Sequence, residues 1–314
     1  MSATALAATV AQVAVVVGFA PLLTGVMRQV RARLEGRAGA GIGQPWRDLR
    51  KLARRQPATP TGTGPAFRVA PLVLVGTSLV VAAAVPLLTT ASPLDSTMDL
   101  FAVVALLALG TVTLALAALD TGTAFGGMGA SREMTVLALV EPTILVAVFA
   151  LSARVGSTNL AAIVTATLHD PLRVISPASL LAAVALVVVT IAETGRLPVD
   201  NPSTHLELTM IHEAMVLEYA GRDLALVELA ASMRLTILLG LLASLFAPWG
   251  IAGADLAGLP VALLALIVKV TVLGSVLAGA EVFLAKLRLF RIPELLAGSF
   301  VLALLAVAAS VVAA

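Results

Sequence analysis

Eight long apolar runs constrain this chain more than any motif does. They lie at about 4–27, 69–90, 98–119, 134–153, 177–194, 229–247, 259–285 and 293–313, and the segments between them are short. A bilayer core about 30 Å thick needs roughly 20 apolar residues to cross it as a helix, so each run is a candidate span. A composition of 60% hydrophobic and 12% charged residues, with a mean hydropathy of +1.05, excludes an ordinary soluble domain. Ten-residue segments of alternating polarity are absent, which argues against a transmembrane barrel. The sequence therefore predicts an all-α polytopic membrane protein of about eight transmembrane helices, forming one integral membrane domain over 1–314. The first run follows "MSATALAATVAQ", which has no basic start, and reads as a retained span rather than a cleaved signal.

Charge sets the orientation. The segment between the first two runs, 28–68, carries Arg28, Arg31, Arg33, Arg37, Arg47, Arg50, Lys51, Arg54, Arg55 and Arg68. With eight spans, Arg132, Arg196, Arg222, Arg234, Lys286, Arg288 and Arg291 fall on the same side as these ten. Only Arg154 and Arg173 fall on the other, and Lys269 lies inside a run. The positive-inside rule makes the crowded side cytoplasmic and puts both termini outside. Two large cytoplasmic loops result, a basic one at 28–68 and an acidic one at 195–228. There is no cysteine, so this chain cannot ligate an iron-sulfur cluster through thiolates or form a disulfide. Neither a fixed-period repeat nor an inverted pair of broken helices is apparent, which lowers the standing of a secondary transporter.

In the basic loop, Pro45 suits a first helical turn. Trp46, Leu49 and Ala53 recur at helical spacing, while Arg47, Arg50, Lys51, Arg54 and Arg55 face elsewhere. This describes an interfacial helix with Trp46 at headgroup depth. Contact with anionic lipid and docking of a soluble partner are both open readings, Trp46, Asp48, Arg50 and Lys51 being the docking candidates. In the acidic loop, Thr204 and Glu207 form a capping box after Pro198 and Pro202. A helix is expected over about 205–219, stopped by Gly221. It would carry Glu207 and Glu218 on one ridge and His205, His212 and Tyr219 on another, with Glu213 beside them. The histidines are two turns apart and lack the one-turn spacing of a metal-binding pair, so no metal site is expected.

Several ionisable residues fall within the runs. Glu141 sits inside the fourth, beside Pro142; Lys269 is near the middle of the seventh, with Glu281 towards its cytoplasmic end; Glu193 ends the fifth; Glu228 and Arg234 open the sixth. A charge at bilayer depth costs about 2.5–3.5 kcal/mol on the gentlest scale, so these side chains should face the bundle interior and pair. A structural ion pair between Glu141 and Lys269 and a proton relay are the two readings.

The stretches "AETGRLPVDNPSTHLELTMIHEAMVLEYAG", "GRAGAGIGQPWRDLRKL", "GGMGASREMTVLALVEPT" and "LAKLRLFRIPELLAG" resemble the formate hydrogenlyase subunit 4 family. These are membrane subunits of group 4 NiFe hydrogenases, related to subunit 1 of respiratory complex I, which walls the quinone chamber. The resemblance implies that Glu193, Arg196 and Asp200 match the family's E-x-x-R-x-P-x-D segment, Glu207 the Glu-Leu after it, Glu141 the acid of the fourth span and Arg132 the arginine before it. It further implies a proton-transfer or coupling role for Glu141, Glu193, Asp200, Glu207, Lys269 and Glu281. Arg132, Arg196, His212, Glu213 and Glu218 would shape the docking loops. "VDNPSTHLEL" and a longer loop after Leu208 depart from the complex I pattern and favour the hydrogenase branch.

The resemblance implies a membrane-anchoring and proton-coupling subunit in a bacterial cytoplasmic membrane, itself non-catalytic and without a cofactor. The NiFe centre and iron-sulfur clusters would belong to partners: hydrogenase large and small subunits, an iron-sulfur protein and antiporter-like membrane subunits. No nucleic-acid partner is expected. A quinone-chamber subunit of a complex I-type dehydrogenase and a passive anchor are the alternatives.

Overall fold

The structure, a computed structural model, describes residues 3–94, 99–170, 174–200, 210–253 and 256–312. The elements run α1 (Ala3–Leu34), α2 (Gln44–Ala53), α3 (Pro65–Ala84), α4 (Leu100–Asp120), α5 (Ala124–Ser152), α6 (Leu160–His169), α7 (Pro177–Glu193), α8 (His212–Val216), α9 (Gly221–Phe246), α10 (Leu259–Phe283) and α11 (Ile292–Val312). Among the described residues there is no strand. Seven helices are long and apolar enough to cross a membrane. The eighth expected span, α7, has 17 residues, about 25 Å of rise and within the range that can span. This is an all-α polytopic membrane protein.

Two boundaries lie furthest from expectation. Helix α5 begins at Ala124, ten residues before the expected 134, and α9 begins at Gly221 rather than 229. In both places polar or glycine-rich sequence continues a helix beyond the apolar run, and at α5 the cap is the better guide. Thr123 caps α5 by accepting from the Gly126 amide. The short outer helix α6, capped by Asn159, is an addition to the expected spans. Pro21, Pro71 and Pro142 lie within α1, α3 and α5, as membrane helices tolerate when neighbours re-satisfy the freed carbonyls.

Packing follows the rule for helices in lipid, where small residues let backbones approach. Helix α11 packs against α5 and α7, and Ala147, Ala182, Ala185, Ala303 and Ala306 are fully buried in the cluster these three share. Helix α1 packs against α10 and α9, and α3 against α4 and α9. Outward faces carry branched apolar side chains, such as Val261, Leu264, Val268, Val272 and Val276 along α10.

The two ends of the bundle are tied differently. At the outer end, the buried Gln12 amide donates to the carbonyls of Ala82 (2.6 Å) and Val85 (2.7 Å) and accepts from the amides of Leu87 (3.3 Å) and Leu88 (2.8 Å). The chain after α3 is thereby clamped, and it pairs with the α9–α10 connection through Thr89 and Ala252. At the opposite end, expected to be cytoplasmic, α2 lies against α1 and α9. The Trp46 indole donates to the Gly18 carbonyl (3.1 Å), while Arg50 and Lys51 are exposed, as expected of an interfacial helix. Gly25 permits the loop to cross α1, since a Cβ there would stand 1.9 Å from the Ile42 carbonyl oxygen.

The acidic loop differs from the expected helix over 205–219. Thr204, His205 and Glu207 lie outside the described residues. The described helix, α8, starts at His212 and ends at Val216. Gly221 has φ +59°, yet it opens α9 instead of closing α8. Its missing side chain serves contact with the basic loop, because a Cβ would meet the Gln56 carbonyl oxygen at 2.3 Å.

Candidate functional site

Three polar assemblies converge where α5, α7, α8, α9 and α10 meet, at the end of the bundle that carries the basic loop. In the first, Asp200 is buried and its carboxylate accepts from Lys286 Nζ (2.8 Å) and from the amides of Ile211 (3.3 Å) and His212 (3.2 Å). It thus fixes the N-terminus of α8, where unpaired amides favour an anion. Helix α8 also sits on α5 at Gly129, where a Cβ would be 2.9 Å from the Ala214 Cβ. Arg132, one turn along α5, donates to the Met210 carbonyl (2.7 Å).

In the second assembly, buried Glu281 of α10 receives Arg196 (3.3 Å) and Arg31 (3.7 Å). The third lies deeper. Arg234 of α9 pairs with buried Glu193 at the end of α7 and donates to the Leu107 carbonyl of α4 (2.8 Å). Buried Glu133 and the more distant Glu141, both on α5, lie within electrostatic range of Glu193 and Arg234. Among the described residues, Glu141 Oε1 and Arg234 Nε are the buried side-chain atoms with no hydrogen-bond partner.

Cavities connect these groups. One of about 600 Å³ opens between α1, α8 and α9, bordered by Arg28, Arg31, Arg37, Arg196, Asp200 and Glu228. A second of about 50 Å³ lies inward of it, against Glu133, Glu193 and Arg234. Thr194, His212, Val227 and Ala231 line both. A third, of about 10 Å³, lies among Glu133, Asp200 and His212. Burial holds the His212 imidazole below its usual range, with Arg234 adding to the effect and Asp200 opposing it. Tyr219 is anchored apart from the acids: its ring stacks on Phe67 at 4.1 Å and its hydroxyl donates to the Phe67 carbonyl.

The structure thus brings together Glu141, Glu193, Asp200, Glu281, Arg132, Arg196 and His212 of the expected residues, with Glu213 at the cavity wall. It sets others apart. Lys269 does not pair with Glu141; its ammonium donates to the carbonyls of Ala247 and Trp249 at the C-terminal end of α9. The reason is direction: a helical side chain leans toward its own N-terminus, which for α10 is the outer end. Asp48 accepts from Gln44 within α2, and Glu218 lies beyond α8 without lining these cavities. Glu207 lies outside the described residues. Sequence reasoning misses Glu133, because the glycine-rich "FGGMGAS" reads as loop. The signal is an acid two turns before Glu141, about 12 Å along one helix. It also misses Arg31 and Lys286 as ion-pair partners, which only tertiary contact reveals.

A buried chain of carboxylates and arginines beside an inlet, within an all-α polytopic bundle, defines a membrane protein that holds ionisable groups in its interior. The chain belongs to the family described as NADH dehydrogenase, whose model matches residues 6–313. It is 37% identical to formate hydrogenlyase subunit 4 of Escherichia coli over 94% of this chain and 95% of that protein. It is 36% identical to hydrogenase-4 component C of the same organism over 94% and 93%. It is also 26% identical to NADH-quinone oxidoreductase subunit 8 of Rhodothermus marinus, over 66% of this chain and 61% of that one. The fold matches a chain of the membrane-bound sulfane sulfur reductase, an archaeal respiratory membrane complex, with a TM-score of 0.84, 19% identity and coverage of 98% and 99%.

Proposed function

We propose that this protein is the membrane-anchoring and proton-coupling subunit of a hydrogenase complex of the formate hydrogenlyase type, seated in a bacterial cytoplasmic membrane. Its two cytoplasmic loops dock a soluble arm that carries the NiFe centre and iron-sulfur clusters, and antiporter-like membrane subunits adjoin it. The reading is carried by the line of ionisable side chains running from the 600 Å³ cavity past Glu193, Arg234 and Glu133 to Glu141. A passive anchor has no use for a carboxylate at bilayer depth with an oxygen left unpaired, since such a group costs stability. Electron transfer in the docked arm would change the charge above the cavity, and coupled carboxylates respond to nearby charge by taking up or releasing protons. Conversion of Glu141→Gln and Glu193→Gln, with assembly verified, should lower protons translocated per turnover several-fold in inverted membrane vesicles. An unchanged ratio in both variants would overturn the coupling role.

A quinone-chamber role is the second reading, and one observation favours it: the large cavity opens between α1 and α9, where such a chamber would have to lie. Its border of Arg28, Arg31, Arg37, Arg196 and Glu228 is more charged than an apolar quinone tail requires. Photolabelling with a quinone analogue separates the two readings.

A further inference from the structure

His212 is the one described residue that lines all three cavities: the 600 Å³ inlet, the 50 Å³ cavity against Glu133, Glu193 and Arg234, and the 10 Å³ space between Glu133 and Asp200. As a residue it is partly exposed, with its imidazole set inward, whereas Glu133, Glu193 and Asp200 are buried. The other residues shared by the inlet and the inner cavity are Thr194, Val227 and Ala231, none of which titrates near neutrality. A proton passing from the inlet into the 50 Å³ cavity therefore meets one ionisable group at their shared wall, the neck between them; Asp200, which borders the inlet and the 10 Å³ space, is held by Lys286.

We infer that His212 is the proton-transfer residue at this neck, handing protons between the cytoplasmic cavity and the Glu133–Glu193 pair. The inference rests on the coupling role proposed above and assigns its entry step. One ring nitrogen bonds a proton from cavity water while the N–H bond at the other breaks, its proton passing to a carboxylate directly or through water. The imidazole ends neutral in its other tautomer, and a ring flip or proton exchange resets it. Cavities of about 50 and 10 Å³ suffice for one or more waters between polar partners.

The surroundings fit a transient carrier better than a permanent cation. Asp200, from the loop before α8, and Arg234, from α9, lie close enough to act on the imidazole's charge, while Glu133 of α5 and Glu193 of α7 line the 50 Å³ cavity with it. Glu213 is its chain neighbour, and Arg196 lies across the inlet. Asp200 is held by Lys286 and Glu193 by Arg234, so neither carboxylate is spare for a lasting ion pair with imidazolium. The position is set by backbone, through the His212 amide on Asp200 and Ala214 on Gly129. The ring itself is left for exchange.

The test uses the whole complex in inverted vesicles, comparing wild type with His212→Ala and His212→Gln. Both variants should assemble and should lose proton translocation per turnover by about tenfold, less than the roughly 10²–10⁴-fold of a positioned acid–base group because cavity water carries part of the flux. Added imidazole, small enough for the inlet, should restore a substantial part of the loss in His212→Ala but not in Glu193→Gln. Retention of the wild-type ratio in His212→Ala, or a loss that imidazole leaves untouched, would overturn the assignment. A wild-type complex that turns over without moving protons would instead overturn the coupling role itself.

Discussion

Asp200 shows how one side chain carries two duties. It binds Lys286 and closes the start of α8, so removing it takes a carboxylate partner from an ammonium and two amides. Loss of one partner from a buried pair costs about 3–5 kcal/mol. Asp200→Ala should therefore speed proteolytic cleavage of the 195–220 loop in the purified complex and lower its Tm, whereas Asp48→Ala, which loses a contact inside α2, should do neither. His212 adds a pH dependence. Its pKa in the fold lies below the usual 6.5, so the unfolded chain binds the proton more readily and stability falls as pH drops through that value toward the folded one. A melting series from pH 7.5 to 5.5 should show a fall that is smaller in His212→Gln.

Among the elements, the cytoplasmic layer depends on glycines that admit neighbouring backbone. At Gly25 the loop before α2 crosses α1, and at Gly221 the first turn of α9 meets Gln56. Gly25→Ala must displace Ile42, and overpacking of this kind typically costs about 1–3 kcal/mol. We expect a lower Tm and weaker retention of the soluble arm during purification, while apolar-face changes such as Val272→Ala leave both unaltered. The outer layer depends on Gln12 instead. Gln12→Leu would take their Gln12 partner from the Ala82 carbonyl and the Leu88 amide, while the Leu87 amide and Val85 carbonyl keep each other; at about 1–3 kcal/mol for each buried group, it should destabilise the bundle more than Gly25→Ala does.

For the whole molecule, orientation is the property on which every functional statement stands. The chain contains no cysteine, so single introduced thiols report sidedness without background. Lys51→Cys should react with an impermeant maleimide from the cytoplasmic side alone, and Ala153→Cys, exposed after α5, from the outer side alone. The opposite pattern would place the cavity and its acids on the wrong side for a cytoplasmic soluble arm.

Hydropathy was enough to determine the class of fold, because each span must satisfy its own backbone within the bilayer and so declares itself locally. Basic residues set the expected direction by the same local logic, and the "ETGRLPVD" segment marked Glu193, Arg196 and Asp200. Side-chain partners lay beyond such local signals. Whether Lys269 met Glu141 or the end of α9, and whether Glu133 lay in a loop or deep in α5, depended on helix rotation and on glycines whose purpose is a neighbour far away in sequence. Those contacts exist only once the helices pack. The cavities beside His212 belong to the same level, since the space between elements is a property of no single one of them.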